Sequence, residues 1–169
     1  MNQLAKATER VMAMDDRTWQ RHANPWSGWT RVLTMPLFSV AVWSRDWIGW
    51  CCLVPSLLTI VWVWINPRLF PPPASLDNWM SRGVLGERVW LADEPGTIAA
   101  HHRPVIRATT WIASLGALVW LIGLCTFDLT ATLAGLTASM LGKLWFLDRM
   151  VWIQREQSAE LKGPSTTHD

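Results

Sequence analysis

The chain has 169 residues, half of them apolar and 17% charged, with a formal charge of +2. One domain is the expectation at this length, and the balance suits lipid better than water. So mild a charge, with no basic arm or aromatic-interleaved basic stripe, excludes a nucleic-acid partner.

Residues 1–24 are polar and mixed in charge and lack the apolar core and small-residue cleavage site of a signal peptide, so the first helix is expected to stay as an uncleaved anchor. Apolar runs then set the predicted class, because a hydrocarbon core of about 30 Å needs about 20 helical residues with every backbone group paired internally. The first run, 32–44, is uncharged for only 13 residues. It reaches spanning length as a helix over 25–44: Asn24 is a favoured cap, Pro25 suits the first turn, Trp26 and Trp29 fit the interface, and Arg31 can snorkel. A re-entrant or surface-lying segment is the alternative, since Pro36 would bend a spanning helix.

A second span is predicted over 47–65, 19 residues without a charge. The linker 66–105 opens with Asn66-Pro67 and the prolines at 71, 72 and 73, which should end that helix and hold the chain extended. Ser75 is a candidate cap for a short interface-lying amphipathic helix carrying Leu76, Trp79, Met80, Val84 and Trp90, with Gly83 and Gly86 counting against it. Asp93-Glu94-Pro95-Gly96 reads as a turn, and His101-His102-Arg103-Pro104 leads back to a third span over 106–127. The fourth, 129–147, carries only Lys143. Residues 148–169 read as a solvated, frayed cytoplasmic tail.

Lysine and arginine set the orientation. Five lie within 1–31, five within 66–107 and four from Lys143 onward, leaving only Arg45 elsewhere. The expected fold is therefore all-α and membrane-integral, with the transmembrane domain over 25–147. Its four transmembrane helices form two antiparallel hairpins joined by a basic cytoplasmic linker. Both termini lie in the cytoplasm of a bacterium or archaeon, and the tight connections at Arg45-Asp46 and Asp128 face outward. Of the fourteen tryptophans, Trp43, Trp47, Trp62, Trp64 and Trp145 fall near run ends, as headgroup anchors do. In the second hairpin Ala131, Gly135 and Ser139 recur opposite Ala113, Gly116, Trp120 and Gly123, a small-residue seam for antiparallel packing or, alternatively, for a homodimer.

The pattern His22-x-Asn24-Pro25-Trp26-Ser27-x-x-Thr30-Arg31, then Asn66-Pro67, Phe70-Pro71-Pro72 and Gly86-Glu87-Arg88, resembles a prokaryotic membrane-protein family known only as a domain of unknown function. The resemblance covers about residues 17–150 and implies a compact four-pass protein, bringing no catalytic residue, substrate or cofactor with it.

Taken from the residues alone, the same pattern is a capped helix start with an aromatic belt and a snorkelling arginine. A sharper reading gathers His22, Asn24, Ser27, Arg31, Asn66, Arg68, Glu87 and Arg88 into a polar binding site at the cytoplasmic mouth of the bundle, near Lys143, Asp148 and Arg149. Cys51, Cys52 and Cys125 would lie towards the outer face, where disulfides persist, but without a C-x-x-C pair. A thiol-disulfide oxidoreductase is accordingly the alternative function. The histidines 22, 101 and 102 have no carboxylate or cysteine at ligand spacing, so no metal or cofactor is expected. No nucleophile elbow, phosphate loop or carboxylate pair can be assembled, and the second and third spans hold no acidic or histidine residue for ion coupling. The expected role is that of a non-enzymatic structural, lipid-interacting or accessory subunit, meeting anionic lipid, a second copy or another membrane subunit through its basic face.

Overall fold

The computed structural model describes residues 16–92 and 98–162. Residues 1–15, the turn expected at 93–96 and the end of the tail lie outside them. Among the described residues every regular element is a helix: α1 Asp16–His22, α2 Pro25–Val32, α3 Thr34–Trp43, α4 Arg45–Ile48, a 3-10 turn Gly49–Cys52, α5 Leu53–Leu69, α6 Trp79–Ala92, α7 His102–Thr126 and α8 Leu129–Lys162.

The first apolar segment begins as its sequence dictates. Asn24 keeps an extended backbone and its Oδ1 accepts from the Trp26 N–H at 2.9 Å, with Pro25 next to it in the first turn. Leu33 alone separates α2 from α3, one turn before Pro36, which has no N–H to offer the Val32 carbonyl. At Gly49 the backbone turns to φ 56° and ψ −138°, a conformation that side chains resist. The chain doubles back there, and Ser27 meets Asn66. The second helix therefore starts at Leu53 rather than 47, and it continues through Pro67 instead of stopping there. Pro67 lies in the last turn, where it removes a single intrahelical bond, and the fully buried Asn66 is tied across to α2.

Helix α6 departs further from expectation. Its cap is Asn78, whose Oδ1 accepts from the Ser81 N–H at 2.8 Å, and not Ser75. It is no free interface-lying helix either. Val84 packs with Trp19 of α1 and with Ala23 just after it on one side, while Gly83 and Gly86 face Leu147 and Met150 of α8 on the other. A Cβ on Gly86 would stand 1.9 Å from the Met150 carbonyl oxygen, so the glycines that weaken the helix in isolation are what let it dock. The tail expectation changes for the same reason. Helix α8 runs unbroken to Lys162, and Met150 and Ile153 join Ile98 and Ile106 in a core cluster.

Helices α7 and α8 form the expected antiparallel hairpin. Phe127 closes α7 in the left-handed conformation, and Asp128 Oδ1 caps α8 through the Ala131 N–H at 2.9 Å. A Cβ on Gly116, Gly123 or Gly135 would come within 2.4 Å of the opposing backbone, at Ser139, Thr132 and Trp120, so the small-residue seam is closed by the chain's own helices. The two hairpins turn at the same end of the bundle: the Arg45 guanidinium lies 5.3 Å from the Phe127 ring, which also packs on Trp43. Trp120 Nε1 donates to Ser39 Oγ at 2.8 Å between them.

Two stretches are long and apolar enough to cross a membrane, Pro25–Leu69 and His102–Thr126. Helix α8 is not among them, because Thr130, Thr132, Thr137, Ser139 and Lys143 dilute its apolar half. Outside, the bundle is greasy: Leu57, Leu58 and Ile60 on α5 and Trp111, Leu115 and Leu118 on α7 are exposed. Inside, Ser27, Asn66, Thr109, Thr132 and Ser139 are buried.

Candidate functional site

The pattern that opens at His22 folds into an interhelical clamp. Asn24 caps α2 with its oxygen and, through Nδ2, donates to the Pro71 carbonyl at 3.0 Å. Ser27 Oγ donates to Asn66 Oδ1 at 2.7 Å, and Asn66 Nδ2 donates to Thr30 Oγ1 at 2.8 Å. One turn of α2 thereby satisfies both ends of a fully buried amide, which would otherwise be costly to leave unpaired. Arg31 continues the face, its Nε donating to the Ser27 carbonyl at 3.2 Å.

From Arg31 the network turns into a charge cluster. Its Nη1 lies 2.6 Å from His22 Nε2, so the imidazole accepts there and carries its proton on Nδ1. Burial first, and then Arg31, push His22 from its ordinary 6.5 down to about 3. Glu87 of α6 receives Lys143 Nζ from α8 at 3.0 Å. Burial alone would raise that carboxyl, but the charge and hydrogen bond of Lys143, with Arg31 and His22 behind them, hold it below its ordinary range. Four segments thus converge on one carboxylate.

Beside this cluster lies a cavity of about 130 Å³. Arg31, Glu87 and Lys143 supply its polar edge, while Met35, Met80, Met140, Leu144 and Leu147 form most of its wall. An apolar cavity of about 150 Å³ accepts a benzene-sized group, so this one has room for a few methylenes. Two cations against one carboxylate leave its edge with one unbalanced positive charge.

The chain matches the family of unknown function DUF6653 over residues 3–167. It belongs to that family. No curated protein and no solved structure matches it.

In this DUF6653 protein the expected polar site divides into parts. His22, Asn24, Ser27, Arg31, Asn66 and Glu87 belong to the clamp and the charge cluster. The Arg68 guanidinium lies 4.2 Å from the Trp64 ring, and its carbonyl joins the site's periphery, accepting from Arg21 at 3.0 Å. Arg88 is exposed and does not line the cavity. Of the neighbours, Lys143 is central, whereas Asp148 accepts from Trp79 Nε1 at 3.0 Å. Thr30 and the three methionines were not among the expected site residues. Thr30 carried a signal in its four-residue spacing from Trp26 and Ser27's turn, but methionines on separate helices carry none. Cys51, Cys52 and Cys125 are free thiols.

The His22 geometry sets a pH response. In the unfolded chain the imidazole gains its proton near pH 6.5, whereas in the folded chain it resists until about 3. The unfolded state binds the extra proton in that window, so stability is complete above about pH 6.5 and declines as pH falls towards 3. Thermal unfolding in detergent, followed by tryptophan fluorescence, should show this decline, and His22→Gln should flatten it. Identical slopes for the two proteins would remove His22 as the cause.

Proposed function

We propose that the protein is a non-enzymatic, four-pass protein of a prokaryotic cytoplasmic membrane that holds an anionic, lipid-like amphiphile at its cytoplasmic end. Four crossings follow if α2 with α3, α5, α7 and the first half of α8 each traverse the bilayer, with the Arg45 and Asp128 turns outside and the basic segments inside. Supporting this, only 11% of the first apolar window and 22% of the second is buried, far less than the core helix of a water-soluble fold would require. The polar and small residues packed inside, with leucine and tryptophan outside, match the way helices associate in lipid.

The amphiphilic cavity carries the lipid reading. Its methionine and leucine wall suits the first methylenes of an acyl chain, and its unbalanced cation suits a phosphate or carboxylate head group. Phospholipid co-purified with the detergent-solubilised protein should be enriched in anionic species relative to the source membrane, and the Arg31→Gln, Lys143→Gln double variant should lose the enrichment. Reporters fused after residues 46 and 128 should read out as external in the same cells. Lipid composition indifferent to the double substitution refutes the site, and a cytosolic reporter at either position refutes the topology.

A further inference from the structure

We propose that His101, His102 and Glu156 bind one divalent transition-metal ion where the start of α7 meets the cytoplasmic half of α8. The two histidines straddle the helix start, His101 immediately before α7 and His102 as its first residue, and their rings lie 4.1 Å apart. Glu156, 54 residues away along the chain, stands between them. His102 Nε2 is 2.8 Å from Glu156 Oε2, and His101 Nε2 is 3.6 Å from Oε1. One ligand atom from each residue falls within 4.8 Å of the others. This supplies the carboxylate that the sequence spacing around the histidines lacks; His22, committed to Arg31, is not part of the group.

Three features favour an ion over a plain hydrogen-bonded group. First, zinc bonds of about 2.0–2.1 Å in a tetrahedral shell put donor atoms about 3.3 Å apart, and the two measured separations bracket that value. Two imidazoles and a carboxylate are also a donor set that such ions accept with water completing the shell. Second, the site combines a buried ligand with open ones. The His102 side chain is 1% exposed, while those of His101 and Glu156 are 63% and 41% exposed, so an ion can reach them from water. Third, the proton bookkeeping closes. Glu156, its side chain open to water, supplies the one carboxylate of the set and accepts from His102 through Oε2. When Nε2 turns to the ion, the ring proton moves to His102 Nδ1, a buried atom with no partner among the described residues, a cost that the metal–nitrogen bond has to outweigh.

The ion would clip the beginning of α7 to α8 beside the cluster of Ile98, Ile106, Met150 and Ile153. Binding to the folded state alone must then raise stability. The test uses the untagged full chain in detergent, stripped with chelator and titrated with zinc chloride by calorimetry. One ion per chain is expected, together with a higher unfolding temperature. His101→Ala and Glu156→Gln, both at exposed side chains and therefore tolerable to the fold, should each weaken zinc binding by at least the about 10–100-fold that outer-shell changes cost. Absence of saturable binding in the parent, or zinc affinity unchanged in both variants, overturns the proposal. Circular dichroism of the variants establishes that they remain helical before the comparison is made.

Discussion

Gly86→Ala should destabilise the protein by about 1–3 kcal/mol, although alanine at an open helical position is worth about 1 kcal/mol more than glycine. The reversal follows from what the new methyl group meets. Its Cβ would stand 1.9 Å from the Met150 carbonyl oxygen and 2.6 Å from the carbonyl carbon, both fixed in the backbone of α8. Neither can move without displacing the helix, so α6 must retreat. Gly83 provides the comparison, because its Cβ would press chiefly on the Leu147 side chain, 2.6 Å away at Cγ, which has rotamers to use. Thermal unfolding of both variants decides the matter: a Gly86→Ala protein as stable as the parent, or a Gly83→Ala protein that loses more, would show that α6 is not held by close backbone contact.

That contact also marks where the sequence stops being legible. Apolar runs located the helical segments, and the cap at Asn24, the break before Pro36 and the turn at Asp128 appear where local chemistry demands them. The small-residue seam between α7 and α8 was readable too, since helical spacing alone exposes it. The helix after the prolines was legible as well, but its docking was not, because Gly83 and Gly86 count against a helix by propensity and count for it only once α8 lies alongside. Helix α8 was cut short for a related reason. Its second half looks solvated as a string, and the burial of Met150 and Ile153 depends on Ile98 and Ile106 from distant segments. The candidate site divides along the same line. Residues of the opening pattern bond within one turn and to the Asn66-Pro67 pair, and gathering the basic segments at one end already brings Glu87 near Lys143, whereas the meeting of His102 with Glu156 spans 54 residues and leaves no trace in spacing.

Glu87→Ala should produce two opposite effects, a loss of stability and a gain in anionic lipid. Glu87 is the carboxylate against which Arg31 and Lys143 are both set at the cavity edge. Removing one member of a fully buried ion pair costs about 3–5 kcal/mol, chiefly because a charge is left without compensation. Here Glu87 is 22% exposed and Lys143 59% exposed, so Lys143 can turn to water and the expected loss falls to about 1–3 kcal/mol. Most of that loss should come from Arg31, which also loses the field that balances its contact with neutral His22. Lys143→Gln should matter far less for stability, within about 1 kcal/mol, as exposed partners generally do. The same change at Glu87 leaves two cations at the cavity edge with no carboxylate among the lining residues, so a negatively charged head group should bind more tightly and added anionic lipid should restore part of the unfolding temperature. A neutral lipid should restore none. If anionic and neutral lipid rescue Glu87→Ala equally, the cavity is a packing defect filled by whatever hydrocarbon is present, and Arg31 and Lys143 select nothing.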